Sequence, residues 1–189
     1  MMNTMKNKLA IFDLDGTLID TSEVNYRAYK KALEEHGFMI TREQFKDFSG
    51  KIWTDFLPKC IGSNDMELLN DIHEFKKEVY KSCISVARIN SILFDIIEVL
   101  VRTFYIAIVT TASRQNCMDI LGYFNKEKLF DYILSQDEVS APKPDAEGFI
   151  KCMVYFGISC DDTIIFEDSR DGITAALKTG ASVYRTVSF

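Results

Sequence analysis

The chain has 189 residues, 47% apolar and 26% charged, with a formal net charge of −6, which suits one domain, or one core with a modest insertion. The acidic balance argues against a nucleic-acid or anionic-membrane surface, no apolar run approaches a membrane span, and the short polar start is no signal peptide. Five scattered cysteines without C-x-x-C spacing and only two histidines argue against zinc and fit reduced thiols in a cytoplasmic protein.

Leu9-Ala10-Ile11-Phe12 shows no polar alternation, which predicts a short buried strand. It ends abruptly in Asp13-Leu14-Asp15-Gly16-Thr17. Two carboxylates at the mouth of a buried strand raise each other's pKa, and burial adds to that. A bound cation or a shared proton relieves the conflict, and oxygen ligands favour a hard ion, Mg²⁺. Asp20 or Thr21 then offers an N-cap for a helix to about His36, closed by Gly37. Thr41-Arg42-Glu43-Gln44 is a capping-box pattern that opens a second helix, which Ser49-Gly50 interrupts.

Gly50-Lys51-Ile52-Trp53 sets a lysine beside the only tryptophan. It reads either as part of a binding surface or as a helix break with Trp53 anchoring a core. It is no Walker loop, because the earlier glycine is missing. Leu69, Ile72, Phe75 and Val79 keep helical spacing within a long amphipathic helix from Asn64 to about Ser85. His73 falls on its polar side, as a surface residue. Another helix spans roughly 91–102. No strand pattern interrupts residues 20–86, which read as a helical insertion.

Tyr105 to Val109 repeats the grammar of the first strand and ends in Thr110-Thr111-Ala112-Ser113. Ser113 caps a helix closed by Gly122. Asp131 to Ser135 is a weaker strand. In Ala141-Pro142-Lys143-Pro144-Asp145 two prolines stiffen the loop around a lysine. Pro144 and Asp145 suit a helix start, and that helix reaches about Phe156. A further strand, Thr163 to Phe166, ends in Glu167-Asp168-Ser169-Arg170-Asp171. A helix from Gly172 to Thr179 and a last strand from Ser182 to Val187 follow. Alternating strands and helices predict a parallel sheet, with ligands bound beyond the carboxyl ends of its strands.

Asp13 and Asp15, Thr110, Lys143, and Glu167 with Asp168 therefore converge on one edge. Phosphoryl transfer needs such a set: a metal on carboxylates, a lysine and a hydroxyl on phosphate oxygens, a carboxylate nucleophile and a proton donor. Through FDLDGTLIDT, IAIVTTASR, APKPDAEGF and IIFEDSRDG the sequence resembles the haloacid dehalogenase superfamily of phosphatases, from Phe12 to Asp171. The resemblance implies an α/β fold, a Rossmann-like parallel sheet over residues 1–19 and 87–189, with a small helical cap over 20–86. It implies Asp13 as nucleophile and Asp15 as general acid/base. Thr110, Thr111 and Lys143 would bind the phosphoryl group, and Asp13, Asp15 (through its backbone carbonyl) and Asp168 would hold Mg²⁺. Glu167 would stand behind the metal site. Asp171 is either a supporting acid or the N-cap of the last helix. Lys51 and Trp53 fall where such caps send a loop toward substrate, and are candidates for contacting it.

The implied partner is a small phosphorylated metabolite, with no nucleic acid or membrane, for a monomer or weak dimer. The aspartate at Asp15 separates the chain from dehalogenase-like relatives that lack one. A sugar phosphomutase of the β-phosphoglucomutase type shares the motifs. It usually carries histidine where this chain has Asn25 and valine where it has Thr17. Both departures favour hydrolysis. A non-catalytic interaction protein on the same core would lose the nucleophile or the lysine first, and both are present.

Overall fold

The computed structural model describes residues 6–47, 52–187 and 189. The chain divides into two compact units, one made of Met1–Asp20 with Arg88–Phe189 and the other of Thr21–Ala87. Strand β1 (Lys8–Phe12) opens the first unit, and Leu9 to Phe12 are fully buried. Burial on both faces explains why the run carries no polar alternation. The chain then reverses tightly: the Leu18 and Ile19 amides both donate to the Leu14 carbonyl at 3.0 Å, and the Gly16 amide donates to Ile19 at 2.8 Å. A two-residue strand, β2 (Ile19–Asp20), ends this piece.

The helical unit begins with α1 (Ser22–Glu35), which buries Val24, Ala28, Tyr29, Ala32 and Leu33 along one face. Thr21 takes the cap position, but its side chain makes no cap hydrogen bond. Its hydroxyl instead accepts from Asn25 Nδ2 at 3.2 Å. Next comes α2 (Arg42–Lys46), where both bonds of the Thr41–Gln44 capping box form, at 3.2 and 2.8 Å. The expected break at Ser49-Gly50, and Lys51 with it, lies outside the described residues. Then follow α3 (Trp53–Ile61), α4 (Met66–Tyr80) and a 3₁₀ turn at Lys81–Val86. Asp65 caps α4 by accepting from the Glu67 and Leu68 amides.

Tyr29, Leu33, Phe56, Leu57, Leu69 and Ile72 form the core of this unit. Trp53 packs against it, with its ring stacked on His73 at 4.6 Å and 13°. His73 is thus not the surface residue its helical position suggests: it is half-buried, and its Nδ1 lies 3.3 Å from the Tyr29 hydroxyl.

Back in the α/β unit, β3 (Arg88–Ile89) pairs antiparallel with β2, and Arg88 bonds Asp20 at 2.6 Å. This ribbon was invisible in the sequence, because two residues carry no periodicity. Asn90 caps α5 (Ser91–Leu100), which leads to β4 (Phe104–Val109). Ser113 caps α6 (Arg114–Tyr123) as expected, accepting from Asn116 at 3.3 Å. Gly122 does not close that helix. It lies within it, and Asn125 makes the turn at φ 54°, since asparagine tolerates the left-handed region better than most residues.

The rest alternates: β5 (Tyr132–Leu134), α7 (Glu147–Phe156), β6 (Thr163–Glu167), α8 (Arg170–Leu177) and β7 (Ser182–Arg185). The sheet order is β5-β4-β1-β6-β7, parallel throughout. Leu9, Ile11, Ala107, Val109 and Ile165 face one side and pack with Leu134, Phe149 and Ala175. The opposite parity sets Phe12, Phe166 and Tyr184 side by side in register, with Phe12 stacked on Phe166 at 4.4 Å. Such cross-strand aromatic pairs contribute roughly 0.2–1 kcal/mol each. Among the described residues no helix is long and apolar enough to cross a membrane.

Candidate active site

Register brings the polar residues together. Phe12 pairs with both Ile108 and Phe166, so Asp13, Thr110, Glu167 and Asp168 emerge at one carboxyl edge, where open α/β sheets bind ligands. Asp13 is still held by the ladder, its amide donating to the Phe166 carbonyl at 2.9 Å. Its side chain is buried.

Lys143 arrives from the loop before α7. Its ammonium donates to Asp13 Oδ1 at 2.6 Å, Glu167 Oε2 at 2.7 Å and the Val109 carbonyl at 3.0 Å. All three donor positions of the ammonium are thereby used. The side chains of Lys143, Asp13 and Glu167 are 9%, 7% and 0% exposed, so water screens these pairs weakly. Burial pushes the Asp13 carboxyl well up, and the Glu167 charge pushes the same way, against Lys143. For Lys143 burial pulls down, but the Asp13 and Glu167 carboxylates outweigh it, and the ammonium stays charged.

Glu167 is held from its other side as well. Oε1 accepts from the Asp168 amide (3.1 Å), the Ser169 amide (3.1 Å) and the Ser169 hydroxyl (3.0 Å). The place a β-carbon on Gly172 would take is filled by this carboxylate. Asp168 is oriented by Thr17, whose hydroxyl donates to Oδ1 at 2.8 Å and lies 3.4 Å from the Thr186 hydroxyl. Burial raises the Asp168 carboxyl, and the Thr17 bond opposes that. Gly16 sits at φ +91°, with its missing side chain toward Asp168.

The Thr110 hydroxyl accepts from the Ala112 amide at 3.0 Å and faces Asp15 Oδ2 at 3.5 Å. Thr110, Thr111 and Lys143 share the lining of one open recess. Asp171 is exposed in the first turn of α8, and Ser169 is the N-cap, accepting from the Gly172 amide at 3.0 Å. The cap reading of Asp171 therefore fails: a hydroxyl two residues earlier already serves the helix. Lys51 lies outside the described residues, and Trp53, half-buried, packs against the helical unit's core.

Carboxylate oxygens of Asp13, Glu167 and Asp168 lie within 4.8 Å of one another. Hard anionic oxygens gathered so closely could hold a metal ion, with Asp13 and Asp168 as the carboxylates not fully engaged elsewhere. Thr17 and Thr186 were not foreseen as supports of Asp168. Thr17 follows the Asp-X-Asp-Gly turn and was open to that inference, whereas nothing in the local sequence marks Thr186.

The family model of haloacid dehalogenase-like hydrolases matches residues 10–186. A phosphorylated carbohydrates phosphatase of Thermotoga maritima is 27% identical over 175 residues, covering 90% of this chain and 80% of that protein. Fructose-1-phosphate phosphatase YqaB of Escherichia coli is 25% identical over 179 residues, covering 90% of this chain and 91% of that one. The crystal structure of CbbY from Rhodobacter sphaeroides in complex with phosphate shares the fold, with a TM-score of 0.86 at 22% identity over 96% of this chain and 87% of that one. With the match running from within β1 to just past β7, the chain belongs to the haloacid dehalogenase-like hydrolases.

Proposed function

We propose that the protein is a Mg²⁺-dependent phosphatase that hydrolyses a small phosphate monoester through an aspartyl-phosphate on Asp13. The observation that carries this reading is the buried ammonium of Lys143 held between Asp13 and Glu167 at the strand ends. Asp13 Oδ1 is occupied by Lys143, so its second oxygen is the one to attack phosphorus. A P–O bond forms there as the ester P–O bond breaks. Asp15 gives its proton to the departing alkoxide. Water then attacks the same phosphorus, returns a proton to Asp15, and frees phosphate and Asp13. Thr110 and Thr111 hold the non-bridging oxygens, where negative charge builds, and the Lys143 ammonium adds its positive charge beside them. Asp13, Asp168 and the Asp15 carbonyl would hold Mg²⁺, whose bound charge offsets that of the phosphate and the carboxylates. Glu167, with both oxygens engaged, serves as the fixed anion behind them.

The unit Thr21–Ala87 is read as a cap that selects the substrate. Relatives named for phosphorylated carbohydrates and fructose 1-phosphate make sugar phosphates the first class to try. The Asn25 carboxamide is bonded to Thr21, and that position lacks the imidazole usual in sugar phosphomutases of this type.

The test is phosphate release from a panel of sugar phosphates, nucleotides, phosphoglycolate and p-nitrophenyl phosphate, with Mg²⁺ and with EDTA. Asp13→Asn should lower kcat by about 10⁴-fold or more while leaving the circular dichroism spectrum intact. No release from any ester overturns the reading. Conversion of glucose 1-phosphate to its isomer would replace it with a mutase.

A further inference from the structure

Lys143 can aim no better than its loop is held. The loop starts at Ser140 and Ala141, whose amides lie outside any helix or strand, and both point at one side chain. Ser140 N donates to Glu147 Oε1 and Oε2 at 3.0 and 3.1 Å, and Ala141 N donates to Oε2 at 2.7 Å. Glu147 is the first residue of α7, and its own amide donates back to Asp145 Oδ1 at 2.8 Å. The Asp145 amide closes on the Pro142 carbonyl at 3.0 Å. Lys151, one turn along α7, reaches Glu147 Oε1 at 2.6 Å and the Glu138 carbonyl at 2.9 Å. On the far side of the loop, Lys178, the residue that caps the end of α8, donates to the Pro144 carbonyl at 2.7 Å.

The same brace touches the other phosphate-facing loop. The turn at residues 135–138 takes Lys151 through the Glu138 carbonyl, while its Gln136 amide donates to the Ala112 carbonyl at 3.1 Å. Ala112 also bonds the Thr110 hydroxyl. The lysine loop and the threonine loop are thus fastened to one turn.

We propose that Glu147 is a positioning residue: braced by Lys151, its carboxylate folds residues 140–147 into the shape that delivers the Lys143 ammonium between Asp13 and Glu167. The catalytic consequence rests on the phosphatase reading above. Charge and acceptor count both matter here. A carboxylate offers only acceptors, and here it meets two amides and an ammonium. A glutamine would turn an NH₂ group toward one of those donors. The Lys151 hydrogen bond, with the two amides, holds the Glu147 carboxyl down at about 2, so the carboxylate stays ionised at neutral pH.

The test compares Glu147→Gln, Glu147→Asp and Lys151→Met with the unmutated full chain. The direct readout is acylation of Lys143 by acetic anhydride, followed by mass spectrometry. Glu147→Gln should raise the Lys143 acylation rate roughly tenfold, because local opening exposes an amine that ion pairs otherwise shield. Amide exchange at Ser140 and Ala141 should rise with it, while exchange in β1 and β4 stays as it was. In p-nitrophenyl phosphate hydrolysis, kcat should fall about ten- to hundredfold, the scale of a misplaced catalytic group. Glu147→Asp should recover part of that loss, and Lys151→Met should show a smaller one. Unchanged Lys143 acylation in Glu147→Gln overturns the proposal, whether or not the protein hydrolyses anything. So does faster acylation with kcat within twofold of the unmutated chain. If the unmutated chain releases no phosphate from any ester, the phosphatase reading fails, and the acylation result alone still decides the role of Glu147.

Discussion

In the α/β unit, buried charge is met with charge. Lys143 stands 2.6 Å from Asp13 and 2.7 Å from Glu167, and a loop, a strand end and a helix start are needed to hold them there. In the helical unit, rings meet rings: Tyr29 packs edge-on against Phe56 at 4.7 Å, Phe45 lies 6.2 Å from Phe56, and the imidazole of His73 is stacked on Trp53 at 4.6 Å. Ion pairs at hydrogen-bond distance are directional and fix an atom in place. Aromatic contacts tolerate a range of centroid distances and tilts, and fix an atom less tightly. The first arrangement suits chemistry that needs one atom in one place. The second suits a packed support.

The sharpest test of this contrast is Lys143→Met. It leaves Asp13 and Glu167 buried without their shared cation, and should cost about 3–5 kcal/mol of stability, read from urea denaturation in EDTA. A loss below 1 kcal/mol would mean that charge pairing does not organise this edge. Phe56→Ala probes the other unit. Phe56 is 3% exposed and meets Tyr29 edge-on at 4.7 Å. Its removal should cost roughly 3–5 kcal/mol through lost packing, and amide exchange should rise in α1, α3 and α4 without a rise in Lys143 acylation.

Metal and pH sharpen the contrast further. Burial, then Glu167, raise Asp13, so the folded chain holds that proton more tightly than the unfolded chain does. The contribution of Asp13 to stability therefore falls as pH rises from about 3.9 through its raised value. Mg²⁺ needs the ionised carboxylates, so its effect should run the opposite way. At about 100 times its Kd, Mg²⁺ should add roughly 2.7 kcal/mol at pH 7.5, and clearly less at pH 4.5. Differential scanning fluorimetry with Mg²⁺ and with EDTA reads both. A gain independent of pH would place the ion elsewhere. The smallest effect belongs to the capping box: Thr41→Ala should cost about 1 kcal/mol, seen as a lower urea midpoint.

Much of this architecture was legible in the sequence, because apolar runs that stop at acids or hydroxyls mark strands of a buried parallel sheet. Asp13, Lys143 and Glu167 stood out for that reason, or for the prolines around the lysine. What stayed hidden depends on contacts distant in sequence or on very short elements. The β2–β3 ribbon is two residues wide. Gly122 looked like a helix stop, yet Asn125 turns the chain. His73 occupies a polar position on its helix, but Trp53 and Tyr29 enclose it from other helices. Nothing in the sequence marks Glu147, and only the folded loop shows two amides pointing at it. Thr186 is separated from Asp168 by a whole helix and strand.

Gly172 and Glu167 carry a consequence for how such a chain can change over generations. The acid occupies the volume that any side chain on residue 172 would need. A mutation at 172 alone would displace the acid and, with it, the anchor of Lys143. A smaller residue at 167 would first have to vacate the space, with loss of activity on the way. The two positions are therefore expected to vary as a pair or stay fixed together. A saturation library at both sites, selected for phosphate release, should return coupled replacements and few single ones.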